Sequence, residues 1–462
     1  MALYSRPGLK FLSGFPGVNG AVRGMFSQNG IVYFVIGNQV GHVTQNTDGT
    51  LNFAVSGILA TNSGPVSISS NSQQLLILDG TGTGYVLSLP PFTAPQAFPI
   101  TSAGWPQGTY GVFIDDYFVV MQKNSRQFNL SSLLDGTTWD PLFYATKEGN
   151  SDNIVSLLAA HDDLWIFGNQ TIEIWSNTGA ANFPFQRVPG LIINEGCAAQ
   201  FSTVNVSDNV FWLGQSVRGR GIVWKASGFQ PTRISNYSIE YMISQMPRID
   251  DAIAYSYTEN GHVFYVLYFP TANQTLAYDD TTGMWHERGF WNTLTGQYDA
   301  HLGQCYAFAF GLDLIGSRNS PVIYNQTSNY YQDDVSPNGQ PNAVTQNPIR
   351  RLRSSPHVSD ELKVYNHDLL QIDMQVGIGI SGTPPTPGVN PQVMMQMSDD
   401  GGFTWGNERW LSAGAQGQYK KRVKFWRLGK SKDRCYRVVI SDPVPVAFVD
   451  AYLRVRPGDG AS

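Results

Sequence analysis

The feature that most constrains this chain is a repeat. A short, aromatic-rich hydrophobic pattern returns seven times. The copies begin near Gly30 (IVYFVIGN), Gln73 (QQLLILDG), Asp116 (YFVVMQK), Asp163 (LWIFGNQ), Asn209 (VFWLGQS), Gly261 (HVFYVLYF) and Leu312 (DLIGSRN). Successive copies start about 43 to 52 residues apart, and a period of that order with several strands per unit marks a β-propeller. The repeat makes one platform of the first two-thirds of the chain.

The fourth unit shows the grammar. Asn153 to Leu158 is a small apolar run suited to an inner strand near a crowded axis, and His161-Asp162-Asp163 is a turn. Leu164 to Phe167 is a buried second strand, Gly168-Asn169-Gln170 a tight turn, Thr171 to Trp175 a strand alternating with period two, and Phe185 to Val188 a shorter outer strand. Four short strands joined by Gly, Asn and Asp turns make one blade. The sixth unit repeats this as Ala252 to Tyr257, His262 to Phe269, Gln274 to Asp279 and Met284 to Glu287. Helical periodicity is confined to Ser238 to Met246.

The seventh unit has three strands (Ala300 to Phe310, Leu312 to Gly316, Val322 to Asn325) and no fourth of its own. A propeller must close, so Leu9 to Leu12, in an arm spanning residues 1–18, is expected to complete that blade. Asn329 to Asn347 is polar and rich in Pro, Gly and Asn, and reads as a linker. Beyond Arg350 the pattern changes. Leu369 to Val376 alternates as a long half-buried strand, and Gln392 to Ser398, Arg409 to Ser412, Lys420 to Gly429, Tyr436 to Ser441 and Val446 to Arg456 read as further strands. The expected fold is therefore all-β, a seven-bladed β-propeller followed by a small antiparallel β-sandwich. The boundaries are an arm over 1–18, the propeller over 19–330, a linker over 331–349 and the sandwich over 350–462.

Charge narrows the function classes. Charged residues make up only 14% of the chain and aromatics 13%, a balance that suits burial of much of the surface against other subunits. The net charge of −5 is uneven. From Pro341 onward there are 16 basic and 11 acidic residues; the preceding part has 14 basic and 24 acidic. An acidic platform thus carries a basic appendage. Its strongest feature is Tyr419 to Arg434, which holds Lys420, Lys421, Arg422, Lys424, Arg427, Lys430, Lys432 and Arg434 among three aromatics. Such a run can meet phosphate or an acidic protein surface. It can equally be the solvated face of an edge strand whose lysines discourage aggregation.

No chemistry-bearing constellation emerges. Cys197, Cys305 and Cys435 are far apart and fit neither a disulfide framework nor a metal site, and the seven histidines have no ligand spacing. A chain that folds in a reducing cytoplasm fits this best. Phosphate-binding and nucleophile-elbow motifs are absent. Met1 to Tyr4 lacks the character of a secretion leader, and no apolar run is long enough to span a membrane. Ser398 to Trp405 (SDDGGFTW) matches the Asp-box, a turn device common in sialidase-type propellers. The acidic pairs Asp115-Asp116, Asp162-Asp163, Asp250-Asp251 and Asp279-Asp280 fall at strand ends and read as turn residues rather than acid/base pairs. Glu173, mid-strand between apolar neighbours, is expected to lie on the polar face of an alternating strand. Arg218 to Gly221 reads as a loop. No catalytic residue, cofactor or metal is expected.

Several islands carry a family likeness. They are Phe15-Pro16-Gly17-Val18; Gly168 to Trp175 with Thr178-Gly179; Asp400-Gly401; and, most strongly, Lys421-Arg422-Val423, Arg427 to Lys430, Pro443-Val444 and Ala451-Tyr452-Leu453. In this order they resemble the packaged-DNA stabilisation proteins of short-tailed bacteriophages, also called tail hub or head-closure proteins. The arm before Arg6-Pro7-Gly8 is shorter than is usual in that family. The resemblance implies a non-enzymatic virion protein assembled in the host bacterial cytoplasm. It implies a six-fold homo-oligomeric ring below the portal and its adaptor ring. That ring closes the channel near packaged double-stranded DNA and carries a tail needle, tailspikes or tail fibres, with no membrane partner. The rival readings are a glycan-binding or sialidase-like propeller and a receptor-binding tail protein. The first calls for an axial Arg cluster and several Asp-boxes, the second for a trimeric shaft.

Overall fold

The computed structural model describes residues 3–89, 97–217, 219–361 and 363–458. Among the described residues seven sheets follow one another along the chain; the first six are antiparallel, each entered by its innermost strand and left by its outermost, and the seventh is completed differently. In the first, Val22–Gln28, Ile31–Ile36, Gln39–Gln45 and Leu51–Ile58 pair in sequence order. In the fourth the order is Ile154–Ala160, Asp163–Gly168, Ile172–Asn177 and Phe185–Ile193, within a few residues of the sequence expectation. The fifth sheet has a broken first strand, with Gly196–Cys197 and Val204–Val206 both paired to Asn209–Ser216.

One turn recurs between the first and second strands of six sheets. Asn29-Gly30, Asp115-Asp116, His161-Asp162, Ser207-Asp208, Asn260-Gly261 and Phe310-Gly311 are two-residue loops in which both residues have positive φ. That is the requirement of a type I′ hairpin, whose twist matches that of the strands it joins. The acidic pair Asp115-Asp116 is thereby placed in a turn, as is Asp162; Asp163 begins the next strand.

Packing closes the sheets into a ring. Hydrophobic clusters lie between each consecutive pair, from Tyr33, Val35, Leu75 and Ile77 between the first and second to Tyr255, Tyr257, Ile315 and Tyr324 between the sixth and seventh. A further cluster, with Val22, Phe34, Leu314 and Ile323, joins the seventh sheet back to the first. The innermost strands converge on an axial opening that receives Met25, Ser67, Gly111, Ala159, Tyr255 and Cys305 from six of the sheets and Phe201 from the break in the first strand of the fifth. This is a β-propeller, whose axis is lined by small and large side chains alike, Ser67, Gly111 and Ala159 beside Met25, Phe201 and Tyr255.

The seventh sheet takes its fourth strand from the other end of the chain. Gly8–Gly14 pairs antiparallel with Val322–Thr327. Leu9 is fully buried there, between the sixth and seventh sheets. The segment read as a linker departs from that reading. Gln332–Val335 pairs in parallel with the arm strand through Leu9 and Asp333, and Thr345–Pro348 pairs antiparallel with Gln332–Val335, so a hairpin broadens the seventh sheet. Its polar residues have a physical use. The Leu9 and Phe11 amides donate to the Asp333 and Asp334 carboxylates at 3.2 and 2.8 Å, and the Arg6 guanidinium forks onto Asp333. The helix Tyr237–Ser244 follows the fifth sheet, capped by Asn236 Oδ1 accepting from the Ile239 amide at 3.0 Å.

The C-terminal part is a sandwich of two sheets. One runs Leu3–Tyr4, Ala447–Pro457, Tyr365–Met374, Val423–Trp426. The other runs Arg351–Ser354, Asp433–Ile440, Gln392–Ser398, Arg409–Ser412. Leu370, Ile372, Val393, Met395, Phe425 and Val438 fill the space between them.

Candidate docking surface on the sandwich

The basic run Tyr419 to Arg434 is divided by the fold. Tyr419 to Arg422 form an exposed turn, Val423–Trp426 is an edge strand paired on one side with Leu369–Ile372, and Lys430-Ser431 pairs with Tyr365-Asn366. Alternation along the edge strand decides which groups face outward. Val423 and Phe425 point into the core, while Lys424 and Trp426 stand on the outer face with Trp426 52% exposed. Lys420, Lys421, Arg422, Arg427, Lys430 and Lys432 are exposed and Lys424 is half-buried. Arg427 adopts φ +56°, which turns the chain out of the strand.

Arg434 is not part of that surface. Its side chain is 4% exposed, forms a two-pronged ion pair with Asp399, and donates to the carbonyls of Leu428 and Lys430. Burial opposes the charge on Arg434, and Asp399 more than offsets it, raising its pKa. Arg434 holds the loop that bears the other basic residues; the charge pattern alone concealed this because one buried member looks like its solvated neighbours.

Asp399 belongs to the Asp-box, whose geometry is that of a turn device. The Asp400 carboxylate accepts from the Thr404 amide at 2.9 and 3.0 Å and from the hydroxyls of Ser398 and Thr404. These bonds, the Thr404 hydroxyl foremost, pull the Asp400 carboxyl down to about 2. Trp405 lies under the Arg437 guanidinium, 3.7 Å from the ring centroid.

Two free edges lie together. Val423–Trp426 ends one sheet and Arg409–Ser412 ends the other, and Arg409 links them by donating to the carbonyls of Trp426 and Arg427 at 3.1 and 3.2 Å. The strands that bind the sandwich to the propeller, Leu3–Tyr4 and Arg351–Ser354, lie at the opposite edges. The basic edge is thus the side turned away from the chain's own connections.

The carboxylates elsewhere serve the fold. Glu173 is fully buried and not on a polar face, which corrects the sequence expectation. Its oxygens accept from the Gly149 amide and from Trp175 Nε1 at 3.0 Å, because the third strand of a blade is covered on both faces by neighbouring sheets. Beside it Lys147, fully buried, ion-pairs with Asp152. Burial works against the Asp152 carboxylate, but Lys147 and the Gln170 and Thr171 amides hold its pKa below the usual range. Asp251 accepts from the Thr271 amide and hydroxyl, and Asp280 pairs with Lys225 on the fifth sheet. Burial pushes the Cys197 thiol up to about 11 and the Cys305 thiol up to about 12, far from reactive thiolates. Among the described residues no group of His, Cys, Asp and Glu is placed to hold a metal ion. Of the run 218–221, Arg218 lies outside the described residues, and Gly219 to Gly221 begin the strand Gly219–Ser227 paired with Asn209–Ser216 rather than forming the expected loop.

Comparison with known proteins fits this two-part architecture. Family models for the bacteriophage P22 Gp10 β-propeller and the bacteriophage P22 Gp10 β-sandwich match residues 1–330 and 350–456. The chain belongs to the bacteriophage P22 Gp10 family. That family comprises phage structural proteins that stabilise packaged DNA. No curated protein matches the chain. Among solved structures, the WD40 β-propeller domain of Doa1 is similar at 11% identity, with 70% of this chain and 97% of that one covered and a TM-score of 0.43. Virginiamycin B lyase from Staphylococcus aureus is similar at 12% identity, with 69% and 98% covered and a TM-score of 0.44. No helix is long and apolar enough to cross a membrane among the described residues.

Proposed function

We propose that this chain is a non-enzymatic component of a phage head-to-tail connector. Several copies form a hub ring, six-fold in the reading favoured here, that closes the portal channel after packaging, retains the DNA and docks tail components. The observation that carries this is family membership through both parts of the chain, propeller and sandwich alike. In this reading residues 19–330 are a seven-bladed propeller closed by the arm 1–18, residues 331–349 connect, and residues 350–462 are the docking sandwich. The portal and its adaptor ring lie above; a tail needle, tailspikes or fibres lie below.

Two physical features support the reading. A core closed through every sheet-to-sheet contact gives a rigid body. The acidic groups that could suggest hydrolysis hold turns or buried amides instead. The docking role is assigned to Lys420, Lys421, Arg422, Lys424, Arg427, Lys430 and Lys432, with Arg434 as their support.

Charge reversal tests the reading. Exposed ion pairs contribute about 0–1 kcal/mol each, so one substitution does little. Several like charges brought face to face across a contact cost several kcal/mol. The variant Lys420→Glu, Lys421→Glu, Lys424→Glu, Lys430→Glu is expected to fold with unchanged circular dichroism, to stay out of particles, and to let DNA leak from heads. Intact, DNA-retaining particles built with that variant would refute the docking role.

A further inference from the structure

We propose that the sandwich's basic edge docks on the outer flank of the first three propeller sheets of a second copy of this chain. This rests on the ring reading above and names the two surfaces that make the ring.

The flank is unusual in two independent ways. Between Arg23 and Lys123 the sequence has no Lys or Arg at all. This stretch contains the first two sheets and the inner half of the third. The outermost strands of those sheets also hold large apolar side chains in solvent. Ile58 is 64%, Phe98 60% and Leu142 81% exposed, with Val55 and Tyr144 beside them on the same strands. Ile58 and Phe98 flank one spot, since Gly57 backs directly onto Ala97. The outer strand of the fifth sheet, Gln230–Arg233, is polar by contrast. Exposed apolar groups on three consecutive outer strands, in a stretch depleted of basic residues, describe a protein-facing surface. On the outer strands and the turns that lead into them the exposed charges are acidic, Asp48 and Asp140, with half-buried Asp135 between them in sequence; the exposed Lys123 and Arg126 lie in the loop between the second and third strands of the third sheet.

The basic edge complements this flank. It presents Lys420, Lys421, Arg422 and Lys424 together with the exposed aromatics Trp410 and Trp426. Cations meet carboxylates and aromatic rings meet aliphatic side chains, while neither surface could pair with itself: one is basic and the other has no basic residue over most of its length. The contact is therefore between two different patches, and contacts of that kind close into rings when the rotation permits. The basic edge faces away from the strands that tie the sandwich to its own propeller, so a neighbour's flank is the partner it can reach.

The test uses the full-length protein and sedimentation velocity with mass photometry. The flank variant is Ile58→Asp with Phe98→Asp; the edge variant is the fourfold Lys→Glu protein described above. All the altered side chains but half-buried Lys424 are exposed, and circular dichroism checks folding. Each variant alone is expected to lose self-association at least tenfold. Mixed in equal amounts they are expected to form dimers and stop there, because the intact edge of one meets the intact flank of the other. Adding Asp48→Lys and Asp140→Lys, both at exposed positions, to the edge variant is expected to restore association at low salt. Rings from either variant at wild-type concentrations would overturn the assignment of surfaces and leave the hub reading standing. A wild-type chain that is monomeric in solution and in isolated tails would overturn both. An edge variant that assembles normally but loses binding to double-stranded DNA would show that the edge meets phosphate instead.

Discussion

Closure of the propeller by its N-terminal arm can be tested at single side chains. Leu9 is fully buried among Tyr255, Tyr257, Ile315 and Tyr324, so Leu9→Ala leaves a cavity between the sixth and seventh sheets. Buried Leu→Ala changes cost about 2–5 kcal/mol. Unfolding entropy scales at about 2.1 cal/mol/K per residue, or roughly 0.7 kcal/mol/K for a propeller of this size, so the melting temperature should fall by about 3–7 °C. Gly8 offers a second route. A Cβ there would lie 2.3 Å from the Tyr330 carbonyl oxygen and 2.4 Å from that of Gln332, both backbone atoms that cannot swing aside. Gly8→Ala should unseat the arm from the hairpin and destabilise at least as much. Lys10, exposed on the same strand, is the control, and Lys10→Ala should stay within about 0.5 kcal/mol of wild type. Urea denaturation and differential scanning calorimetry on the three variants give the comparison. A Leu9→Ala protein that melts with wild type would refute closure by the arm.

Three further outcomes follow from the same geometry. Glu173→Gln should destabilise by about 1–3 kcal/mol in urea, because the Gly149 amide and the Trp175 indole share an acceptor that the variant cannot fully replace; an unchanged midpoint would return Glu173 to the surface. Replacing Ser207-Asp208, both at positive φ, with Asn-Gly should stabilise by roughly 0.5–1 kcal/mol, whereas Asp208→Val should destabilise, both read as denaturation midpoints. Stability should be full above about pH 4 and fall as pH drops towards 2, because Asp400 and Asp135 both titrate near 2 when folded. Burial opposes the Asp135 charge and the Thr137 hydrogen bonds outweigh it. Depressed carboxyl pKa values give stability that protonation removes. Loss already at pH 5 would point to other groups.

The sequence was most readable where one local rule decides the structure. The hydrophobic second strands repeat because each is covered by sheets on both sides, so Leu164 to Phe167 and His262 to Phe269 were legible as strands. Asn29-Gly30 and Asn260-Gly261 announce their hairpins, but His161-Asp162 and Phe310-Gly311 adopt the same turn without the favoured residues, because pairing on both sides imposes it. Legibility failed where polar side chains substitute for expected partners. Asp333 and Asp334 look like linker residues, yet they accept backbone amides of a strand more than 300 positions away. Glu173 imitates the solvent side of an alternating strand because alternation reports only that two faces differ, not that one is wet. Arg434 sits inside a charge run, and only the Asp-box carboxylate of Asp399, 35 positions earlier, gives it an interior partner.

The arm links the two parts of the molecule more closely than the boundary between them suggests. Leu3–Tyr4 pairs with Ala447 and Phe448 in the sandwich, and four residues later the same segment enters the seventh propeller sheet. Between them Arg6 is anchored on Asp333 and on the Gly289 carbonyl, and Arg351 donates to Ser5 at 2.7 Å. Both ends of the propeller's chain therefore run into the sandwich, one through the arm and one through the hairpin that ends at Pro348. Pulling the sandwich away must shear the arm from two sheets at once, and shear loads many backbone hydrogen bonds together rather than one at a time. A force applied at the basic edge would thus pass through the sandwich sheets into the strand that closes the ring of sheets. In the connector role proposed above, that places the closing strand in the path of the load, where the propeller core on both sides of Leu9 resists it.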